Sequence, residues 1–211
     1  MRSNDGFSQL LFPTRCFGCN TLGLSICSSC RQEWHPHYYL THVSGMNIHS
    51  AIVYSSTASK IILSAKENGL RAADELISNA IIHVLKRADF SHRSIRLIPI
   101  PSSLSARRRR GRSFIVDIAK EVSLATGYPS VDALELVRKV QDQTGLHARA
   151  RAINMNGAFA IKSGAYPRGD LILIDDVVTT GATLSEAARA LSARGFHVLG
   201  SVTACVAQPL R

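Results

Sequence analysis

The pattern of apolar and polar positions changes near residue 45 of this 211-residue chain. Before that point the chain is rich in Cys, His and aromatic residues and shows no sustained periodicity. After it, short apolar runs alternate with segments that are apolar at helical spacing, which predicts an α/β fold. We therefore predict two units, a small cysteine-rich module in residues 1–45 and an α/β domain in residues 46–211.

The predicted elements of the domain are short and alternate along the chain. We predict helices at 59–66, 72–86, 113–125 and 183–193, and strands at 48–54, 95–100, 133–137, 158–161, 171–174 and 198–206. Wholly apolar runs such as 171–174 are typical of strands buried on both faces, in a parallel sheet covered by helices. Ligands of such sheets bind outside the carboxyl ends of the strands.

The segment that follows the apolar run 171–174 carries the strongest chemical signal. Asp175 and Asp176 come directly after the predicted strand, and a hydroxyl-rich loop leads into the next predicted helix, where Thr183 and Glu186 fit a capping box. Carboxylates accept hydrogen bonds from ribose hydroxyls, and a helix N-terminus suits a phosphate. We predict a sugar phosphate site formed by the two acids and by Val177, Val178, Thr179, Thr180, Gly181, Ala182 and Thr183. The alternative is an ordinary strand–loop–helix unit in which these residues only cap and turn.

Two Cys-x-x-Cys pairs lie in the N-terminal module. Cys16 with Cys19 and Cys27 with Cys30 match the ligand pattern of a tetrahedral Zn²⁺ site with four thiolates, which leaves no open position and predicts a structural zinc. The alternatives are two unrelated pairs that are redox-active or inert, or a site in which a nearby His (His35 or His37) replaces a ligand. Cys205 falls in an apolar run and is predicted to be a core residue.

The charge balance favours anionic partners. The chain has 25 Lys+Arg against 15 Asp+Glu, a formal net charge of +10, and its arginines cluster at 107–112 and 138–151. No apolar stretch is long enough for a membrane span, and the N-terminus lacks the pattern of a secretory signal. We therefore expect a cytoplasmic protein whose partner is a phosphorylated metabolite, a nucleic acid or an acidic membrane surface.

The run 171–183 resembles the phosphoribosyl-diphosphate (PRPP) signature of type I phosphoribosyltransferases. Together with the four cysteines, the chain resembles the ComF family (ComF/GntX-like, competence-associated). Further matching segments are 98–101 with the Arg-rich stretch after it, 143–146 with Arg149, and 157–159. The chain departs from the family where Arg110 and Gly111 are followed by Arg112, Ser113 and Phe114 instead of Phe-Asn-Gln, so contacts from those amides are missing.

The resemblance implies transfer of ribose 5-phosphate from PRPP to an acceptor, with Mg²⁺ and release of pyrophosphate. Asp175 and Asp176 would hold the ribose hydroxyls, and the 179–183 loop would wrap the 5-phosphate. The pyrophosphate would lie near Ser102, Ser103 and Arg110, under a closing loop at 138–151. Type I relatives often form dimers, so a homodimer is one candidate and the oligomeric state stays open.

Two other functions remain open at this stage. The family is associated with DNA uptake, which makes single-stranded DNA an alternative partner. A PRPP sensor without catalysis is the third reading. Lys66 lies where the family tends to have a lysine, and it either takes part in the site or only ends a helix.

Overall fold

The computed structural model describes residues 14–88, 90, 93–138, 153–164 and 167–207. Its central sheet has the strand order β1-β2-β7-β6-β3, with β1 antiparallel to β2 and the other neighbours parallel. These strands are β1 (Tyr39–Val43), β2 (Met46–Val53), β3 (Ile95–Pro99), β6 (Asp170–Val178) and β7 (Val198–Val206). A separate two-stranded antiparallel sheet pairs β4 (Leu134–Leu136) with β5 (Phe159–Ile161).

Helices cover both faces of the sheet. They are α1 (Ser28–Glu33), α2 (Ser56–Asn68), α3 (Arg71–Ala88), α4 (Leu104–Arg110), α5 (Phe114–Thr126) and α6 (Ala182–Ser192). One core contains apolar residues of α2, α3 and α5, such as Ile61, Ile77 and Ile118. The other contains residues of α6 and of the β4–β5 sheet, such as Leu184 and Phe159. The predicted fold class, an α/β domain with a mostly parallel sheet flanked by helices, is confirmed.

The predicted helix breaks are confirmed at two glycines. Helix α2 begins after Ser55, whose hydroxyl accepts a hydrogen bond from Ala58 N at 3.1 Å, and it ends at Gly69 with φ 60°. Helix α5 ends at Gly127 with φ 76°. Both glycines adopt the left-handed conformation that other residues enter only at a cost.

Strand β1 was not predicted. It joins β2 through a turn in which Ser44 and Gly45 have φ values of 50° and 77°, a combination suited to a tight hairpin. β1 is an edge strand in which half-buried residues alternate with exposed ones, so its sequence has only a weak apolar pattern. The sheet thus begins at residue 39, and the module boundary at residue 45 stays a prediction.

Helix α4 was also not predicted. Its sequence is mostly arginine and has no apolar periodicity, but Ser103 caps its start by accepting a hydrogen bond from Ala106 N at 3.2 Å. Gly111, with φ 66°, ends it. The helix is therefore specified by its two ends rather than by an apolar face.

Strand β6 is longer than predicted and includes both acids. Its pairing with β7 continues from Asp175 opposite Thr203 to Val178 opposite Val206, so Val177 and Val178 are strand residues rather than loop residues. The predicted capping box is wrong. Gly181, with φ 73°, is the N-cap of α6 without a side-chain cap, and Glu186 instead bonds Arg189.

Candidate functional site

Asp175 and Asp176 lie near the carboxyl end of the central strand β6. Successive strand residues point to opposite faces of a sheet, and Asp176 meets Lys66 from the last turn of α2, with Lys66 Nζ 2.5 Å from Asp176 Oδ2. Asp176 is only 6% exposed, whereas Asp175 is half-buried and its Oδ1 accepts a hydrogen bond from Asp176 N at 2.9 Å. The strand end therefore holds two close carboxyl groups and one cation.

The two acids have opposite pKa shifts. Burial and the charge of Asp176 raise the pKa of Asp175 well above its ordinary value. Burial also raises the pKa of Asp176, but the ammonium of Lys66 and a hydrogen bond from Asp175 outweigh it and leave that pKa below the ordinary value. Asp176 is thus the ionised partner of Lys66, and Asp175 is the carboxyl that takes up a proton first when the pH falls.

The loop after β6 turns sharply into α6. A Cβ at Gly181 would lie 2.7 Å from Cγ1 of Val43, so only glycine fits there. Thr180 Oγ1 accepts a hydrogen bond from Ala182 N at 3.4 Å, and the first helical bond runs from Ser185 N to Gly181 O. The first N–H groups of a helix lack partners within it, so this end of α6 offers donors to an anion.

A groove of about 410 Å³ runs beside this loop. It lies between the first turns of α6, the β1–β2 turn and one side of the 153–156 segment. Its lining includes Thr180, Ala182, Ser185 and Ser44. The predicted phosphate loop is therefore accessible from a concave surface.

The predicted pyrophosphate residues lie after β3. Ser103 caps α4, and its hydroxyl is 3.0 Å from that of Ser105. Ser102 lines a small cavity with Ser113. Arg110 ends α4 and donates to Glu67 Oε1 from Nη2 at 2.7 Å and from Nε at 3.0 Å.

Lys66 and Glu67 are the site-forming residues outside the predicted set. Both lie in the last turn of α2, where one contacts Asp176 and the other contacts Arg110. The end of α2 therefore connects the acids of β6 to the arginines of α4. The family position of Lys66 was the only signal in the sequence for either role.

Arg112 has a structural role. It donates to Asp74 at 2.8 Å, lies 3.3 Å from Asp117, and its guanidinium is 5.4 Å from the centre of the Phe114 ring. Arg107 and Arg108, by contrast, are exposed on α4, and among the described residues neither forms an ion pair. The Arg cluster thus divides into paired and unpaired members.

The four predicted zinc ligands converge. The sulfur atoms of Cys16, Cys19, Cys27 and Cys30 all lie within 4.8 Å of one another. A tetrahedral zinc with bonds of about 2.3 Å separates its sulfurs by roughly 3.8 Å, so the cluster can hold this ion. Within the described part of the chain, His35 and His37 are not in the cluster.

The backbone of the module is shaped around this cluster. A Cβ at Gly18 would lie 2.5 Å from Cys30 Sγ, so the first loop must have glycine there. The pKa of Cys16 is lowered to about 6, because hydrogen bonds from backbone N–H groups, among them that of Cys27, outweigh its burial. A thiol that ionises near neutral pH favours metal binding.

The module is packed into the main core. Trp34 is 2% exposed, and its indole N–H donates to Leu76 O in α3 at 3.1 Å. Cys16, Ile26 and Cys30 belong to the same buried cluster as α2 and α3. Cys205 is buried in β7, as predicted, and burial raises the pKa of its thiol.

The predicted closing loop lies mostly outside the described residues. Residues 139–152, which include the 143–146 segment, Arg149 and most of the predicted closing loop, lie outside the described residues. Arg138, at the start of that segment, donates to the carbonyl oxygens of Asn154 at 2.7 Å and Asn156 at 2.8 Å.

The fold is an α/β domain with a mostly parallel sheet, and its acids and helix start meet at one strand end. Sequence comparison relates the chain to a curated protein. The chain is 30% identical over 104 residues to Competence protein F of Haemophilus influenzae, and the match covers 48% of this chain and 45% of that protein. The chain thus spans less than half the length of this relative. The match and the cysteine cluster confirm the resemblance to the ComF family. No family model matches the chain.

The solved structures similar to this chain include adenine and orotate phosphoribosyltransferases. An adenine phosphoribosyltransferase has 14% identity and a TM-score of 0.48, with 87% of this chain and 92% of that chain covered. The Saccharomyces cerevisiae enzyme has 18% identity and a TM-score of 0.47 at the same coverage. The orotate phosphoribosyltransferase of Aeropyrum pernix has 14% identity and a TM-score of 0.43, with 83% of this chain and 77% of that chain covered.

None of the helices in the described residues has the length and apolarity needed to cross a membrane.

Proposed function

We propose that the chain binds PRPP where β6 leads into α6 and transfers its ribose 5-phosphate to an acceptor. The observation that carries the proposal is the strand end itself. Asp175 and Asp176 lie there beside Lys66. A short loop then leads to the backbone N–H donors at the start of α6. Vicinal ribose hydroxyls need hydrogen-bond acceptors, which the two acids provide. A 5-phosphate needs donors, which the N–H groups at the start of α6 provide.

The residues of the site have separate roles in the proposed reaction. The carboxylates hold the ribose hydroxyls and stabilise positive charge on the sugar as the bond from C1 to the pyrophosphate oxygen breaks. The departing pyrophosphate takes both electrons of that bond, and the acceptor nucleophile forms the new bond to C1. Arg110 and the Ser102–Ser103 turn lie on the pyrophosphate side. Mg²⁺, when bound with PRPP, supplies charge neutralisation on the phosphate oxygens.

The raised pKa of Asp175 predicts a specific pH dependence. Because its folded pKa lies above the ordinary value, acidification protonates Asp175 first and removes one acceptor charge from the ribose site. We expect PRPP affinity to fall by up to about tenfold per pH unit below that pKa. Calorimetric titrations across the acid range measure it.

Inorganic pyrophosphate is the control for this measurement, because its own phosphates titrate but it does not reach the ribose acids. We expect the affinity for pyrophosphate to fall less steeply on acidification than the affinity for PRPP. Equal pH dependence for both ligands would argue that Asp175 does not contact the ribose.

The acceptor is tested by a screen for pyrophosphate release. Purified protein with PRPP and Mg²⁺ is incubated with purine bases, pyrimidine bases and other nitrogen nucleophiles in turn. Release with at least one acceptor is expected of a transferase. PRPP binding without release in any reaction would instead indicate a sensor.

The unpaired arginines support single-stranded DNA as a second candidate ligand. Arg107 and Arg108 project from α4 with Leu104, which is also exposed. Binding through phosphates weakens steeply with salt, so DNA affinity should fall strongly between low and physiological salt. Tight DNA binding in a protein that does not bind PRPP would favour this function over the transferase.

A further inference from the structure

Glu67 is a carboxylate held by two guanidinium groups. Besides the two bonds from Arg110, it accepts hydrogen bonds from Arg109 Nη2 at 3.2 Å and Arg109 Nε at 3.3 Å. A single carboxylate thus receives four N–H donors from two consecutive residues of α4. The side chain of Arg110 is only 13% exposed, while those of Glu67 and Arg109 are 35% and 65% exposed.

The charges at this point do not balance. Two cations face one anion, and hydrogen bonds from Arg110 and Arg109 hold the pKa of Glu67 below its ordinary value, so the carboxylate is ionised at neutral pH. The next residue toward the N-terminus, Lys66, is close enough that Arg110 acts on its pKa, but its charge is compensated by the ion pair with Asp176. The cluster therefore keeps a net positive charge while its strongest donors are occupied.

The position of the cluster relates it to the proposed ligand. Lys66 and Glu67 are consecutive in α2, and Lys66 contacts the acid of β6 that is proposed to hold the ribose. Arg110 follows the Ser102–Ser103 turn, on the side proposed for the pyrophosphate. The Glu67–arginine cluster thus lies next to the place where the diphosphate end of PRPP would be.

We propose that Glu67 is an internal counter-anion which the diphosphate of the ligand displaces from Arg109 and Arg110. The inference rests on the proposed function, because it assigns a ligand group to the same site. A guanidinium fork binds carboxylate and phosphate oxygens through the same pair of donors. A highly charged diphosphate with Mg²⁺ competes well for these donors, whereas a singly charged anion does not. Glu67 therefore makes the site selective for diphosphates at the expense of affinity.

A purely structural role for Glu67 predicts the opposite result. If the carboxylate only connects α4 to α2, its removal disorders the arginines and lowers the affinity for every anionic ligand. If it is a displaced counter-anion, its removal frees donors that are already in place, and diphosphates bind more tightly. The sign of the change separates the two roles.

The test is the affinity for inorganic pyrophosphate with Mg²⁺, measured by calorimetry on the full chain. We expect Glu67→Gln to bind pyrophosphate about tenfold more tightly than wild type, since one unit of competing charge is removed next to the site. Glu75→Gln is the matched control, because it also removes one acid that is paired with an arginine. Glu75 forms an exposed ion pair with Arg71 in the next helix, α3. That control should change the affinity by less than twofold.

A double variant shows whether the gain passes through the freed arginine. In Glu67→Gln/Arg110→Gln the tenfold gain should disappear. Glu67→Asp keeps the charge on a shorter side chain and should give a smaller gain than Glu67→Gln. Equal or weaker pyrophosphate binding by Glu67→Gln overturns the proposal, and so does a gain that survives the loss of Arg110.

The outcome is separable from that of the proposed function. If wild type fails to bind PRPP while Glu67→Gln still gains pyrophosphate affinity through Arg110, the transferase proposal fails and the counter-anion proposal stands. If PRPP binds and pyrophosphate affinity does not rise in Glu67→Gln, only the counter-anion proposal fails.

Discussion

Replacing Asp175 and Asp176 together by Asn is expected to abolish PRPP binding, with a loss of affinity of at least about 100-fold. Both carboxylates at the end of β6 lose the charge that accepts ribose hydroxyls, and hydrogen bonds to charged groups contribute roughly 1.5–3 kcal/mol each. The change keeps the shape of both side chains. Isothermal titration calorimetry with PRPP and Mg²⁺ measures the effect.

Asp170→Asn is the matched control for this variant. Asp170 lies at the opposite end of the same strand, where it pairs with Arg93 and His197, so its change should leave PRPP affinity within about twofold of wild type. A double Asp175/Asp176 variant that binds PRPP within about threefold of wild type would contradict the assignment of the acids.

The single variant Asp175→Asn also separates binding from stability. The folded-state pKa of Asp175 is raised, so its ionisation opposes folding, and the stability present at low pH is lost as the pH rises through that pKa. An Asn at this position does not ionise. We expect Asp175→Asn to unfold at a higher temperature than wild type at neutral pH while it binds PRPP more weakly, as is common for groups retained for function.

Loss of zinc is expected to destabilise the whole chain rather than the module alone. Structural zinc supplies an apparent binding free energy of about 10–16 kcal/mol at pH 7, and the Cys16–Cys30 segment shares its buried cluster with α2 and α3. We expect Cys30→Ser, or treatment with a chelator, to lower Tm by at least about 20 °C, since about 1 kcal/mol shifts Tm by about 2–4 °C at this size. Thermal scans with elemental analysis measure both quantities.

Cys205→Ala provides the control for this experiment. Cys205 is as buried as Cys30 but lies in β7, away from the cluster of four sulfurs, so the variant should keep one zinc per chain and lose only a few degrees. Protein purified without chelator that contains far less than one zinc per chain, or a Cys30→Ser variant that melts like wild type, would contradict the metal assignment.

Elements with an apolar face could be predicted from the sequence, and elements without one could not. Helices α2, α3 and α5 have periodic apolar residues and clear breaks at Gly69 and Gly127, so their existence followed from local pattern. Helix α4 has no apolar face, and its signal lay only in Ser103 and Gly111 at its ends. The predicted strand ended before Asp175 because acids are uncommon in a buried strand, whereas the pairing of β6 with β7 continues through both acids.

The chemistry of the site was predictable as a set of residue types but not as a set of partners. The paired acids and the loop before α6 are contiguous, so a single segment contains them. The contacts of Lys66 with Asp176 and of Glu67 with Arg110 join residues far apart in the chain. A sequence specifies the charge of each residue, and only the packing of α2 against β6 and α4 decides which charges meet.

A crystal structure of the protein with PRPP and Mg²⁺ examines the sugar phosphate site most directly. The expected result is the 5-phosphate at the N–H groups that begin α6, with both ribose hydroxyls bonded to Asp175 and Asp176. A ligand bound elsewhere, or acids turned away from a bound ribose, would contradict the proposed site.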